Sequence, residues 1–204
     1  VTFEVYALED IKAADGESED YYKKDALVAT ITTDETGVAK LTDLPLGKYY
    51  VKEKETANGY VLDGEIREVD LTYRDQITYS ADWQNKRQKA EVKVLKKAKD
   101  SDRVLEGAVF ALCNKDDIVN AKGDVILKAD TVIEEQATDK DGKLTFTADL
   151  PLGYTYYVKE TSPAPGFATT DQVQEFTFEY GEAEKETLSY EFTFEDEETT
   201  VEFT

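Results

Sequence analysis

Short runs in which apolar and polar residues alternate recur along the whole chain. In the first half they are Phe3-Val5, Leu27-Ala29-Ile31, Tyr49-Val51, Val69-Leu71 and Ile77-Tyr79-Ala81-Trp83. In the second half they are Val92-Val94, Phe110-Leu112, Leu144-Phe146, Tyr156-Val158, Phe176-Phe178 and Phe192-Phe194. Gly, Asp, Asn and Pro bound these runs, and a period of two between such breakers predicts half-buried strands. Residues 22–31 also fit a helical period, but the Thr and Val that close the stretch favour a strand. Many short strands at this density predict an all-β sandwich.

A repeat organises these strands. The segment TTDETGVAKLTDLPLGKYYVKEKETANGYVL at 32–62 is echoed by ATDKDGKLTFTADLPLGYTYYVKETSPAPGFAT at 137–169. Turn, strand, DLPLG, YYVKE and a Gly-aromatic pair follow in one order, and Glu53 to Gly59 has the spacing of Glu160 to Gly166. Two copies of one fold are therefore expected. Residues 1–88 form a domain without its first strand and 89–198 a complete one, while TTVEFT at 199–204 opens a further module. The polar stretch NKRQKAE at 85–91 reads as a short linker between the copies. Val1 begins in mid-strand, so the chain reads as a piece of a longer protein.

Composition narrows the function classes. The chain has 204 residues, enough for two cores, and a net charge of -21. That charge repels phosphate backbones and anionic lipid and favours a soluble monomer, so nucleic acid is not an expected partner. No segment has the apolar length of a membrane span, and membrane insertion is not expected of these residues. With no histidine, Ser-His-Asp and Cys-His chemistry and histidine metal sites are excluded. The single cysteine, Cys113, allows no intrachain disulfide. The acidic stretches DKDG at 139–142 and DSD at 100–102 lack the full calcium loop and read as turns. Neither a metal nor a cofactor is expected.

VKVLKKAKDSDRVLEGAVFAL at 92–112, followed by LPLG, YYVKET and Pro165-Gly166-Phe167, closely resembles the Cna B-type or SpaA-like modules of Gram-positive surface proteins and pilins. The resemblance covers nearly the whole chain and implies two tandem Ig-like or prealbumin-like β-sandwich domains. It also implies a reaction, in which a lysine on the first strand attacks an Asn or Asp on the last strand, assisted by a Glu of the YxVKE strand. An intramolecular isopeptide bond results. Lys96 matches the donor and shares the parity of Val92 and Val94, so its side chain faces inward, while Lys93 and Lys97 face away. Glu160 shares parity with Tyr156 and Val158, and Asp196 with Phe192 and Phe194, although Asp196 lies in the acidic run EDEE, where a solvated face is the ordinary reading. In the first copy Glu53 and Asn85 match the Glu and the acceptor, but the donor strand would lie before Val1.

Such a site asks a neutral amine to meet a neutral acid, and burial favours both neutral forms. A protonated Glu160 would polarise the Asp196 carbonyl and relay protons. Each domain reacts once, so the chain is not an enzyme with turnover. The resemblance implies a stalk or spacer of a pilin or adhesin, extracellular and anchored to the cell wall by a signal outside these residues. Its expected partners are neighbouring modules, pilus subunits and host matrix. The alternative is an adhesin module that binds a host protein or glycan through loops 9–24 or 114–130. A carboxylate glycosidase is a third, weaker reading, because it needs an acid and a base paired across a cleft.

Overall fold

The computed structural model describes residues 1–13, 15, 17–71, 80–99 and 101–200. They form two compact units, one comprising Val1–Arg87 with Glu182–Glu186 and the other Gln88–Gly181 with the stretch from Thr187 onward. Among the described residues all regular structure is β.

The first unit is built on one four-stranded antiparallel sheet. Its strands are β1 (Thr2–Ala7), β2 (Leu27–Thr32), β3 (Gly47–Glu55) and β4 (Ile66–Leu71), in the order β2-β1-β3-β4. Alternation along β1 buries Phe3, Val5 and Ala7 on one face. The register sets Val5 opposite Val51 and Phe3 opposite Glu53. Of residues 22–31, which also fit a helical period, 27–31 lie in β2, while Tyr22 makes an isolated bridge to Ile11 and a turn follows it.

The second unit repeats this sheet and adds another. Strands β6 (Val109–Asn114), β9 (Val132–Ala137), β11 (Tyr154–Ser162) and β12 (Val173–Phe178) lie in the order β12-β11-β6-β9, the counterpart of β4-β3-β1-β2. Opposite them β5 (Lys89–Ala98) is the centre of a three-stranded sheet, between β10 (Lys143–Phe146) and β13 (Thr187–Asp196). It runs antiparallel to β10 and parallel to β13. The core lies between the two sheets, with Val92, Val94, Leu144, Phe146 and Phe194 from one and Phe110, Leu112, Tyr156, Val158 and Phe178 from the other. The molecule is thus all-β, with tandem copies of one sandwich.

Several sequence expectations change. Of the strand expected at 77–83, Ile77 and Tyr79 lie outside the described residues, and Ser80–Trp83 pair in no ladder. The counterpart strand β13 is held by β5, and among the described residues of the first unit no copy of β5 lies beside its last segment. The expected linker at 85–91 is already structured: Lys89–Glu91 start β5, and buried Gln88 donates from Nε2 to the Gly181 carbonyl at 2.6 Å. The loop expected at 114–130 contains a hairpin of β7 (Ile118–Val119) and β8 (Val125–Leu127). Edge strand β9 was not anticipated either, because its VIEEQA has only a weak alternation. Residues 201–204 of the expected further module lie outside the described residues.

Candidate functional site

Lys96 sits on β5 at the face that buries Val92, Val94 and Ala98. Its backbone is fixed on both sides, since its N–H donates to the Gly142 carbonyl at 2.7 Å and its carbonyl accepts from Leu105 N–H at 3.0 Å. Glu160 projects from β11, and Asp196 ends β13 two residues past Phe194, the residue opposite Lys96. The three side chains are wholly shielded from solvent. Lys96 Nζ lies 3.0 Å from Glu160 Oε1 and in hydrogen-bond contact with Asp196 Oδ1. The rings of Phe110 and Phe194, tilted and 4.8 Å apart, line the same part of the core, and Lys96 Nζ lies 5.6 Å from the Phe110 ring centre.

A buried ionised triad is costly, because each charge loses its hydration. Two features mark where the proton can move. Burial pushes the Glu160 carboxyl above its ordinary value of 4.5, against the pull of the Thr170 N–H and of Lys96. Asp196 Oδ2 is buried with no hydrogen-bond partner among the described residues. This orphaned oxygen is not the one that Lys96 touches.

The first unit holds the same assembly without the amine. Phe3 pairs with Glu53 in register as Phe110 does with Glu160. The Phe3 and Trp83 rings are 4.8 Å apart at 53°, against 4.8 Å and 54° for Phe110 and Phe194. Each Glu accepts a backbone N–H from ten residues later, Asp63 at 2.5 Å and Thr170 at 2.9 Å. The loop joins the last segment alike, with Val61 N–H donating to Lys86 O at 2.8 Å and Ala168 N–H to Glu197 O at 3.0 Å. Asn85 stands where Asp196 does, and its Nδ2 donates to both Glu53 oxygens, at 2.9 and 2.7 Å, and to Val61 O at 3.0 Å. Among the described residues no cation pairs with buried Glu53.

All five residues singled out from sequence therefore fall into two clusters, Lys96 with Glu160 and Asp196, and Glu53 with Asn85. Sequence reading missed the N–H groups of Asp63 and Thr170 and the paired rings that wall each cluster. The signal was available for the first, because the ten-residue offset recurs in both copies. Among the described residues no group of His, Cys, Asp and Glu side chains could hold a metal ion, and Asp139 of the DKDG stretch instead accepts the N–H groups of Asp141 and Lys143, both at 2.9 Å. No helix among the described residues is long and apolar enough to cross a membrane.

A family model described as the SpaA prealbumin-like fold domain matches the chain twice, at residues 1–87 and 90–202. No curated protein matches it in sequence. Among solved structures, the Bacillus anthracis TIE protein is similar at 21% identity and a TM-score of 0.61, over 97% of this chain and 30% of that one. The chain thus spans under a third of that protein. A shaft pilin of Lactobacillus rhamnosus GG matches at 17% identity and a TM-score of 0.39, over 98% of this chain and 85% of its own. A minor pilin of Streptococcus agalactiae matches at 19% identity and a TM-score of 0.38, over 100% and 85%.

Proposed function

The chain belongs to the SpaA prealbumin-like fold domain family, and on that footing we propose that it is a stalk segment of a cell-wall-anchored surface protein, stiffened by a self-formed Lys96–Asp196 isopeptide bond. The observation that carries this reading is a lysine amine in contact with two carboxyl groups, all three cut off from water.

In the reaction a proton passes from the Lys96 ammonium to the carboxyl pair, leaving a neutral amine beside a neutral acid. Nζ adds to Asp196 Cγ, and protonated Glu160 donates toward the carbonyl oxygen that becomes negative. Glu160 then carries the amine's surplus proton to the departing oxygen. The Cγ–O bond breaks, one water leaves and an amide remains. Contact between amine and acid supplies an effective molarity of about 10⁵ to 10⁸ M, so folding itself triggers the bond. Glu160 acts in its protonated form, and burial raises the pH at which it loses its proton. Bond formation after refolding is therefore expected to slow as pH rises through that raised range.

The crosslink joins residues 100 positions apart, the first and last strands of the unit. Tension entering along β5 would pass through the amide into the end of β13 and bypass the residues between. By analogy with a disulfide, closing a loop of this size is worth about 4 to 5 kcal/mol through the unfolded state, in a chain whose one cysteine can form no internal disulfide.

Intact mass tests the reading. The wild-type chain should weigh one water less than its sequence, and Lys96→Ala and Glu160→Ala should show the full mass. Asp196→Asn sharpens the test: it should lose ammonia in place of water and finish at the mass of the crosslinked wild type, because both routes end in the same amide. A wild-type protein at its full sequence mass would remove the crosslink.

A further inference from the structure

The turn after β3 and the turn after β11 are built alike. In the first, Tyr60 N–H donates to Ala57 O at 3.1 Å and Gly59 holds φ 84°. In the second, Phe167 N–H donates to Ala164 O at 3.1 Å and Gly166 holds φ 89°. A four-residue turn with positive φ at its third residue is type II, and proline suits its second. The second unit has Pro165 in that place and the first has Asn58, so the chain's one Asn-Gly pair stands in an exposed turn. Among the described residues neither the Asn58 side chain nor the Gly59 N–H makes a hydrogen bond. The other asparagines are held. Asn85 Nδ2 donates to Glu53 and to Val61 O, Asn114 is fully buried, and Asn120 Oδ1 accepts the N–H groups of Lys122 and Asp124. Each of these three is followed by a residue other than glycine.

We propose that Asn58 is a self-modification site: its side-chain amide is displaced by the Gly59 nitrogen, and the turn ages to aspartate and isoaspartate at position 58, which loosens the first unit alone. The lengthened backbone of the isoaspartate form lies just before the two contacts by which this loop holds the candidate cluster. These are Val61 O with Asn85 Nδ2 at 3.0 Å and Asp63 N–H with Glu53 at 2.5 Å. The matching loop of the second unit starts from proline, which has no side-chain amide to lose.

Water is the only co-reactant. Hydroxide takes the Gly59 amide proton, and the nitrogen adds to Asn58 Cγ. The Cγ–Nδ2 bond breaks, the departing nitrogen takes a proton from water and leaves as ammonia, and a cyclic succinimide remains. Water then opens the ring. Attack at Cγ gives aspartate, while attack at the backbone carbonyl gives isoaspartate, whose chain runs through Cβ and Cγ. Glycine favours closure because the attacking residue carries no Cβ to obstruct the ring. Closure also needs rotation about the Asn58 Cα–C bond, and the hydrogen bond between exposed Tyr60 and Ala57 opposes it.

The purified full chain, held at mildly alkaline pH and followed with time, tests the proposal. Its intact mass should rise from the starting value by the difference between a hydroxyl and an amino group. Cleavage after Lys54 and Arg67 should place the change at Asn58, in aspartate and isoaspartate forms. Asn58→Gln and Asn58→Pro should both keep the starting mass, and Asn58→Pro copies the second unit's turn, so it retains the fold. Calorimetry of the aged chain should show the first unit's transition lowered and the second's unmoved, with neither moving in Asn58→Pro. A synthetic peptide of residues 55–67 sets the rate in an open chain. A folded chain that keeps its mass over the time in which this peptide reacts overturns the proposal, as does a gain placed at Asn85, Asn114 or Asn120. A change at Asn58 that leaves the first unit's transition where it was overturns the loosening. Because the gain is counted from the starting mass, a crosslink formed earlier in the second unit does not enter it.

Discussion

Among the described residues the second unit has two facing sheets and a lysine amine between two carboxyl groups, while the first has one sheet and a carboxyl group bonded to an amide. Their strand orders, ring pairs and loop hydrogen bonds otherwise coincide. The difference traces to β5, which is the middle of its sheet. A missing edge strand would cost one ladder, whereas a missing central strand leaves both neighbours without a partner. Among the described residues of the first unit no strand corresponds to β5, residues 38–41 and 80–86 pair in no ladder, Trp83 is half-exposed and no cation pairs with Glu53.

The largest test is to make the second unit resemble the first. Lys96→Ala removes the donor of the proposed crosslink, which would be worth about 4 to 5 kcal/mol, and leaves Glu160 and Asp196 facing each other in the core without a cation. Calorimetry should show the second unit's transition falling by about 20 °C or more. The parallel change in the first unit, Glu53→Ala, breaks hydrogen bonds to Asn85 and Asp63 and should cost only about 1 to 3 kcal/mol. Equal losses in the two units would break the comparison.

A smaller test compares the matching glycines of the two units. Gly37 and Gly142 both hold positive φ, 79° and 69°, so alanine at either is strained by about 1 kcal/mol. Gly142→Ala also drives its methyl into the Lys96 carbonyl, and the total cost should be about 3 kcal/mol. Gly37→Ala should stay near 1 kcal/mol. Urea unfolding of the two variants measures the gap.

Much of this was legible from residues alone, for a reason of period. Alternation assigns every second side chain to one face, so Lys96 inherits the inward direction of Val92 and Val94, and Asp196 that of Phe194, whatever their polarity. The burial of Asp196 beside exposed Glu195 and Glu197 shows parity prevailing over the local acidic composition. What parity cannot supply is partnership. Ala81 and Trp83 alternate as well as Phe192 and Phe194 do, yet pair in no ladder, because a strand needs a neighbour and the neighbour is not encoded in its own sequence. Strand β9 fails in the other direction: as a sheet edge it needs few apolar residues, so VIEEQA carries little signal. The cradling N–H groups of Asp63 and Thr170 belong to loop geometry, which side-chain pattern does not reach.

The smallest test addresses what the units share. Tyr49 donates its hydroxyl to Pro45 O at 2.6 Å and Tyr156 to Pro151 O at 2.7 Å, each ring fully buried. Tyr→Phe at either site removes one hydrogen bond and should cost about 1 kcal/mol, equally in both units, since neither tyrosine lies on the strand that differs. Alkaline pH adds a sign. Burial pushes the Tyr49 hydroxyl from 10.0 up to about 12 and that of Tyr156 higher still. The folded state therefore favours the neutral phenol, and its advantage is complete below pH 10 and is lost as pH rises from there toward the folded value. Wild-type stability should fall above pH 10, less steeply in each Phe variant, and the difference should be larger for Tyr156. A Phe variant with the wild-type slope would mean that the hydroxyl ionises as freely in the fold as in the open chain, and a gap in cost at neutral pH would mean that the difference between the units extends into the sheet they share.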